Sequence, residues 1–239
     1  MFAGIGGICL GFKQTGCDIV WANEKDRAAC NTYRHNFGND WLIESDVYKV
    51  KLDSIPDFDI LTAGFPCQSF SIAGTQEGFR VPSGNLFFEI TRVIEIKRPK
   101  IVFLENVSNL IKHDNGQTFL VIYNSLAQFG YAVRYRVLDA HVYGNLPQPR
   151  SRIFIVAFLD YDMCSRFSYP DPIELKLTIN NVIDRNEKKH SSYYYSADSD
   201  VVRKYGNRIF DRRYIYRISD KGLIRVRNHY CPTLTANMG

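Results

Sequence analysis

The stretch "FDILTAGFPCQSF", Phe58 to Phe70, decides how the rest of the chain is interpreted. Its first half is a short apolar run between polar residues, which is typical of a strand buried in a parallel sheet. The run ends at Pro66, and Cys67 follows at once, so the sequence presents a thiol on a turn at the end of a strand. Two interpretations are open from these residues. Cys67 is either a small buried hydrophobe or a nucleophile held in a fixed orientation.

Other apolar runs and helical patterns alternate with this strand along the first 160 residues. "CDIVWAN", "KIVFLENV" and "RIFIVAFL" predict further buried strands, and "YAVRYRVLD" alternates as a strand with one wetter face would. "NLFFEITRVIEIKRP" and "TFLVIYNSLAQFG" predict amphipathic helices between them. Strand–helix–strand alternation predicts the α/β class, with a doubly wound, mostly parallel sheet.

Length and composition narrow the class of protein. The chain has 239 residues, 45% of them hydrophobic, which is enough to bury the core of one large domain or of a domain plus a smaller lobe. Its six cysteines form no CxxC pair and no Cys/His cluster at metal-ligand spacing. The sequence shows no signal peptide and no apolar run of about 18 residues. We therefore expect a cytoplasmic protein with reduced thiols, without a metal and without a membrane partner.

The positive charge is concentrated near the C-terminal end. Residues 200–239 contain nine Lys or Arg and three Asp, which gives +6, so residues 1–199 carry −1 of the net +5. Aromatic residues are interleaved with these basic residues, which favours contact with nucleic acid, although a solvated surface is the alternative. We predict an α/β domain over 1–164, a proline-containing linker over 165–178 and a smaller region over 179–239.

A glycine-rich stretch and two carboxylates suggest a cofactor site. "FAGIGG", Phe2 to Gly7, precedes a helical pattern, but Cys9 stands at the third glycine position of a GxGxxG motif. Glu24 closes a predicted strand 20 residues after Gly4, a spacing that suits a carboxylate reaching a ribose diol. Asp46 follows another probable strand and could accept from an adenine amino group, or could simply form a turn. Together these features suggest a cofactor that contains adenosine.

Polar residues also stand at two other strand ends. Glu105 terminates the very apolar "KIVFLENV", where a carboxylate is costly unless it is paired or used. Arg150 and Arg152 occupy alternate positions in "QPRSRIF", and alternation along a strand would place both on one face, suited to an anion or a carbonyl oxygen. Ligands bind at the carboxyl ends of strands in doubly wound sheets, so we expect these groups and Cys67 to converge.

"FAGIGG", "NEKD", "GFPCQSFS", "ENV" and "QPRSRIF", in this order and at these separations, resemble the cytosine carbon-5 DNA methyltransferases. The resemblance covers essentially the whole chain and is closest to the modification enzymes of bacterial restriction systems. "CPTLTANMG", Cys231 to Gly239, resembles the end of the family's target-recognition region. Residues 1–164 would then be the catalytic, cofactor-binding domain, and 179–239 part of the target-recognition region.

The resemblance implies S-adenosylmethionine as methyl donor, double-stranded DNA with an extruded cytosine as substrate, and a nucleoid-associated prokaryotic enzyme. It makes Cys67 the nucleophile that adds to carbon 6 of cytosine and Glu105 the acid at ring nitrogen 3. Arg152 would hold the cytosine carbonyl oxygen, with Arg150 in support. The positions that it implies for the cofactor are Phe2, Ala3, Gly4, Ile5, Gly6, Gly7, Glu24, Lys25, Asp46, Val47, Pro66 and Leu86.

The resemblance also sets expectations about the ends of the chain. The family has an apolar strand immediately before the glycine loop, where this sequence has Met1, and two further motifs after the position of Gly239. Without that strand, its neighbours are expected to have unpaired edges. Three explanations are therefore open: a fragment of a longer gene product, one half of a split methyltransferase completed by a second polypeptide, or a catalytically inactive DNA-binding remnant. The first two keep the methyltransferase function.

Two rival activities are open from the same residues. Methylation of cytosine in RNA, by a branch of the same family, would make equal use of the basic region. A thiol hydrolase built on Cys67 would need a histidine general base, and the five histidines carry no such signature.

Overall fold

The computed structural model describes residues 1–66, 86–184, 186–209, 214–219, 222–226 and 230–233, so the predicted nucleophile Cys67 lies outside the described residues. The strands are β1 Ala22–Glu24, β2 Leu42–Glu44, β3 Ile60–Ala63, β4 Ile101–Val107, β5 Ala132–Asp139, β6 Ser151–Phe158, β7 Ile215–Ser219 and β8 Gly222–Val226. The helices are α1 Gly7–Gln14, α2 Arg27–Phe37, α3 Leu86–Lys97, α4 Gln117–Gln128, α5 Ala140–Tyr143, α6 Tyr161–Arg166, α7 Ile179–Val182 and α8 Asp200–Tyr205.

The strands of the α/β part form two separate sheets. β1 and β2 pair in parallel, while a four-stranded sheet has the order β3-β4-β6-β5. β3 and β4 run parallel, whereas β6 returns antiparallel to β4. The α/β class is as predicted, but the larger sheet is mixed because β6 runs back beside β4 instead of following a crossover helix.

Helices α3 and α4 supply much of the core that supports β3, β4 and β6. On α3, the apolar positions predicted for one face are buried, with Leu86 half-buried at the helix start. On α4, Phe119, Ile122 and Leu126 are buried on a single face. Each such side chain contributes about 1.5–3 kcal/mol through burial. This core fixes the positions at which β3 and β4 end, and those ends carry the candidate site.

Helix α2 closes a smaller core against the β1–β2 sheet. The side chain of Asp26 accepts a hydrogen bond from Ala29 N and so caps the helix at its N-terminal end. Tyr33 is fully buried and its hydroxyl donates to the Cys9 thiol over 3.5 Å. Burial raises the pKa of Tyr33, with the contact to Cys9 acting in the same direction, so this phenol stays neutral.

The chain divides into two compact units, the first comprising 1–137 and 152–169 and the second 138–151 and 170–239. In the second unit, β7 and β8 form an antiparallel hairpin in which Ile215 faces Val226. The predicted boundaries at 164 and 179 stay a prediction. Within the described parts of the chain, no helix is long and apolar enough to cross a membrane, and no three His, Cys, Asp or Glu side chains gather as a metal site.

Candidate active site

The glycine-rich loop, Phe2 to Gly7, joins the strand ends to helix α1. Gly4 and Gly6 both have positive φ, +55° and +95°, where a side chain would be strained. At Gly6, a Cβ would also lie only 2.2 Å from Cε2 of Phe37 on α2. At Gly4 and Gly7, a Cβ would meet no described atom within 4 Å. The loop is therefore closely packed on one side and presents open backbone on the other.

The carboxylate of Glu24, at the end of β1, is bound to this loop. Its Oε2 accepts a hydrogen bond from Gly4 N over 2.9 Å. Its Oε1 accepts from Lys25 N at 2.8 Å and from Asp26 N at 2.9 Å, at the start of α2. Because a carboxylate has about four acceptor positions, Oε2 keeps a lone pair that a hydroxyl donor could use.

Lys25, Asp46 and Val47 lie at the ends of β1 and β2. The Nζ atom of Lys25 is 3.9 Å from Oδ2 of Asp46, a contact exposed to solvent. The Oδ1 atom of Asp46 accepts a hydrogen bond from Tyr48 N over 3.2 Å, which is the turn-forming alternative for this residue. Val47 is buried in the core. Of these three predicted cofactor residues, Asp46 forms a turn and an exposed ion pair with Lys25, whereas Val47 belongs to the core.

The end of β3 is anchored by a side chain from β4. Asn106 is buried, and its Nδ2 donates to the carbonyl of Phe65 over 2.9 Å. The amide of Val107 donates back to Oδ1 of Asn106 over 2.8 Å. Pro66 is exposed directly after this anchor and directly before Cys67. Asn106 belongs to the "ENV" stretch, but the sequence alone assigned it no role.

Glu105 and Arg152 form an ion pair across β4 and β6. The Nε atom of Arg152 lies 3.0 Å from Oε1 of Glu105, and their side chains are only 19% and 23% exposed. Because Glu105 faces Phe154, the two charged residues are diagonal neighbours on one face of the antiparallel pair. A Cβ on Gly64 would lie 3.5 Å from Oε2 of Glu105. The ion pair is thus next to the strand end that leads to Cys67.

Arg150 is held within the second unit by Asp139. The amide of Arg150 donates to Oδ1 of Asp139 over 3.1 Å. His141 donates to the same oxygen from its amide at 3.1 Å, with its Nδ1 at 2.6 Å, and the Ser151 hydroxyl binds Oδ2. Partial burial alone would raise the pKa of Asp139, but these donors outweigh it and hold the pKa at about 2.

The same segment is also held from the C-terminal side. The amide of Cys231 donates to the carbonyl of Pro147, and the hydroxyl of Thr233 donates to the carbonyl of Pro149. The Asp139 network was not predicted from the sequence. The only available signal was a carboxylate at the end of a predicted strand, the same signal that singled out Glu105.

The fold is of the α/β type, with polar groups gathered at strand ends where such folds bind ligands, and comparison with known proteins specifies the family. The family described as C-5 cytosine-specific DNA methylase matches residues 1–215. The chain belongs to this family. The class predicted from the sequence, a DNA cytosine-5 methyltransferase, is therefore confirmed.

Curated relatives of the chain are named type II methyltransferases. The chain is 46% identical over its whole length to the type II methyltransferase M.Bsp6I of Bacillus sp. strain RFL6, and spans 76% of that protein. Over 77% of its length it is 42% identical to the type II methyltransferase M.HhaI of Haemophilus parahaemolyticus, of which it spans 55%. These similarities do not favour the alternative of an inactive or split form.

Solved structures agree on the fold. A Dnmt2 methyltransferase from S. pombe has a TM-score of 0.63 at 23% identity, covering 86% of this chain and 65% of that one. A putative DNA modification methyltransferase encoded in an E. coli prophage has a TM-score of 0.57 at 23% identity, covering 73% of this chain and 51% of that one. The predicted methyltransferase fold is confirmed.

Proposed function

We propose that this chain methylates carbon 5 of a cytosine extruded from a specific site in duplex DNA, through a covalent bond between Cys67 and carbon 6. The observation that supports the proposal most is the Glu105–Arg152 ion pair beside Gly64, three residues before Cys67. A base seated at this pair would meet an acid, a guanidinium and a thiol together. Extrusion is required because the target atoms cannot be reached inside the base stack.

The chemistry needs these residue types. Carbon 5 of cytosine is a poor nucleophile, and addition of the Cys67 thiolate to carbon 6 makes it enamine-like. Glu105 supports the charge that develops at ring nitrogen 3 during this addition. Arg152 holds the carbonyl oxygen and stabilises its developing charge, with Arg150 in support. After methylation, a base removes the proton on carbon 5, and Cys67 leaves by elimination.

The residues around the glycine loop fit the expected methyl donor. S-adenosylmethionine, when bound, supplies the electrophilic methyl group. The open backbone at Gly4 and Gly7 leaves space for a ligand, and Glu24 keeps a free acceptor lone pair beside that space. We assign the donor to Phe2–Gly7, with Glu24, Lys25, Asp46, Val47, Pro66 and Leu86 as the other predicted contributors.

The DNA contacts are assigned to the basic C-terminal region. In the second unit, Arg203, Lys204 and Arg208 are exposed, as are the consecutive Tyr193, Tyr194 and Tyr195. Exposed cations bind phosphates, and exposed aromatics stack on bases or sugars. A chromosomal substrate would place the protein at the nucleoid, in the cytoplasm of a prokaryotic cell.

The test is to trap the covalent step. Purified protein is mixed with S-adenosylmethionine and duplex DNA that contains 5-fluorocytosine, and adducts are mapped by peptide mass spectrometry. Fluorine cannot be eliminated as a proton would be, so the enzyme should stall bound to DNA through Cys67. Cys67→Ser should form no adduct, whereas Cys164→Ala, a change at a buried cysteine in α6, should still form it.

The other outcomes are also decisive. An adduct that forms only after a companion polypeptide is added would assign the activity to a split enzyme. An adduct with structured RNA but not with duplex DNA, at matched salt, would move the substrate to RNA. Absence of any adduct in all settings would overturn the proposed activity.

A further inference from the structure

A guanidinium links helix α3 to the turn that follows β2. This turn, Val47–Lys49 (the β2 turn), comes directly after Asp46, and α3 begins at Leu86. Arg92 lies on α3, and its Nη2 donates to the carbonyl of Val50, the residue that ends the turn, over 3.3 Å. The two segments that Arg92 connects therefore both carry positions predicted for the methyl donor.

Glu89, one turn earlier on α3, holds the guanidinium from another side. Its Oε2 lies 3.0 Å from Nη1 of Arg92, and its side chain is only 12% exposed. Burial raises the pKa of Glu89, the charge of Arg92 opposes this effect, and the charge of Asp46 adds to it. Glu89 thus lies within electrostatic reach of Asp46. Arg92 compensates the charge of a carboxylate that would otherwise repel the one on Asp46.

The third nitrogen of the guanidinium is not used in this arrangement. Nε of Arg92 is buried, and nothing in the described part of the chain accepts a hydrogen bond from it. A buried hydrogen-bond donor without an acceptor is costly. The position of the side chain is therefore set by the contacts of its other two nitrogens, with Glu89 and with Val50. A planar guanidinium can reach a carboxylate and a carbonyl at once, whereas a lysine ammonium is a single point charge.

The β2 turn is held at both of its ends. Asp46 caps the first end, where its Oδ1 accepts a hydrogen bond from Tyr48 N. At the second end, Val50 N donates to Val47 O over 3.1 Å, and Val50 O accepts from Arg92. A short turn of the 3₁₀ type has poor hydrogen-bond geometry of its own. The contact with Arg92 therefore helps to fix the orientation of the turn, including the carboxylate of Asp46 at its start.

We propose that Arg92 is a positioning residue for the methyl-donor site, holding Asp46 so that its Oδ2 accepts a hydrogen bond from the adenine amino group. The inference rests on the proposed function, since it takes S-adenosylmethionine as the methyl donor. Among the described residues, Oδ2 has no hydrogen-bond partner, because Nζ of Lys25 is 3.9 Å away. This oxygen is therefore available to a ligand.

A residue that acts through Asp46 should change which base is bound. A residue that only stabilises the fold should instead weaken the binding of all such ligands equally. Inosine has a carbonyl oxygen where adenine has its amino group, so an inosyl ligand cannot donate to Asp46 from that position. The ratio of the affinities for an adenosyl and an inosyl ligand, called the base preference, therefore distinguishes the two roles.

The test is calorimetric titration of the full chain with S-adenosylhomocysteine and with its deaminated analogue, S-inosylhomocysteine. The unmodified chain should bind the adenosyl compound at least about tenfold more tightly, because the analogue loses one hydrogen bond to a charged group. Arg92→Met keeps an apolar stem and removes the link to Val50. In this variant, the base preference should fall to about twofold or less.

Arg98→Met is the matched control. Arg98 directly follows α3, and its Nη1 donates to the carbonyl of Phe129, at the end of α4, over 2.6 Å. It therefore makes the same kind of contact, from guanidinium to backbone carbonyl, with a segment that carries no predicted methyl-donor position. Arg98→Met should lower the urea concentration at the midpoint of unfolding and retain the base preference of the unmodified chain.

Arg92→Met leaves Glu89 without its ion-pair partner, which could prevent folding. The double variant Glu89→Gln/Arg92→Met removes that charge together with the link, and the same loss of base preference is expected. The binding test needs no DNA and no methyl transfer, so it is separate from the adduct experiment.

Three results would overturn the positioning role alone. These are an unchanged base preference in a folded variant that lacks Arg92, an equal loss of preference in Arg98→Met, or equal binding of the two ligands by the unmodified chain. If the unmodified chain binds neither ligand, the methyl-donor assignment fails and this inference fails with it.

Discussion

Replacement of Asp139 by Asn tests whether the negative charge of one carboxylate holds the residues around Arg150 in place. Asparagine keeps the shape of the side chain and an acceptor oxygen for the amides of His141 and Arg150. It loses the negative charge, and its amide group faces the Ser151 hydroxyl where a carboxylate oxygen stood. The variant therefore isolates the electrostatic part of the network.

The pKa of Asp139 gives the magnitude. A fall from 3.8 to about 2 corresponds to at most about 2.4 kcal/mol of folding free energy. The side chain is 19% exposed, and solvent screening reduces this to about 1–2 kcal/mol. Because the folded-state pKa is depressed, this stability is present above pH 4 and is lost as the pH falls toward 2.

The assay is urea unfolding followed by circular dichroism at several pH values between 3 and 7. Asp139→Asn should lose about 1–2 kcal/mol at pH 7, and the difference from the unmodified chain should shrink to about half by pH 3. Asp198→Asn, at an exposed acid of the same unit, should change stability by less than about 0.5 kcal/mol. An Asp139→Asn variant as stable as the parent at pH 7, or a loss independent of pH, would refute the reasoning.

Three further predictions rest on single contacts. Gly6→Ala should lower the free energy of unfolding by about 1–3 kcal/mol in urea titrations, because the added Cβ would clash with Phe37 and the residue has a positive φ. Gly11→Ala, where the added Cβ lies in open space on α1, should not lower it. Asn106→Ala should cost about 2–3 kcal/mol in the same measurement by leaving a buried carbonyl without its donor; a neutral result would contradict the anchor at β3. Burial lowers the pKa of the Met1 ammonium from 8.0 to about 6, so protonation of this group favours the unfolded chain. The free energy of unfolding should therefore rise by about 2–3 kcal/mol between pH 5.5 and 8.5. N-terminal acetylation should remove this rise, which a comparison of the two pH profiles would test.

Much of the fold could be predicted from the sequence because its signals are local. The apolar periodicity of α3 and α4 and the continuous apolar run of β4 each reflect burial of one segment against a core. β1 is an instructive exception. "CDIVWAN" predicts a strand over seven residues, but the strand observed is Ala22–Glu24, the stretch that has Leu42–Glu44 of β2 beside it to pair with.

The candidate site was predictable only in part. The carboxylate of Glu105 was identified by its cost at the end of a buried strand, and its pairing with Arg152 follows from the antiparallel register, which the sequence pattern does not give. The Asp139 network depends in part on the backbone amide of Arg150, 11 positions away, and a backbone amide cannot be recognised from a residue type in the sequence. Convergence of Cys67 with Glu105 remains a prediction.

The carboxylate of Glu24 accepts hydrogen bonds from backbone amides of the glycine loop and of the residues just before α2. These two segments lie about 20 positions apart in sequence, yet they share a single attachment point. Because both segments are hydrogen-bonded to the same carboxylate, a displacement of the loop also displaces the residues that lead into α2. A displacement of those residues is likewise transmitted to Gly4. A ligand that competes for the carboxylate would therefore be felt by a helix that it does not touch.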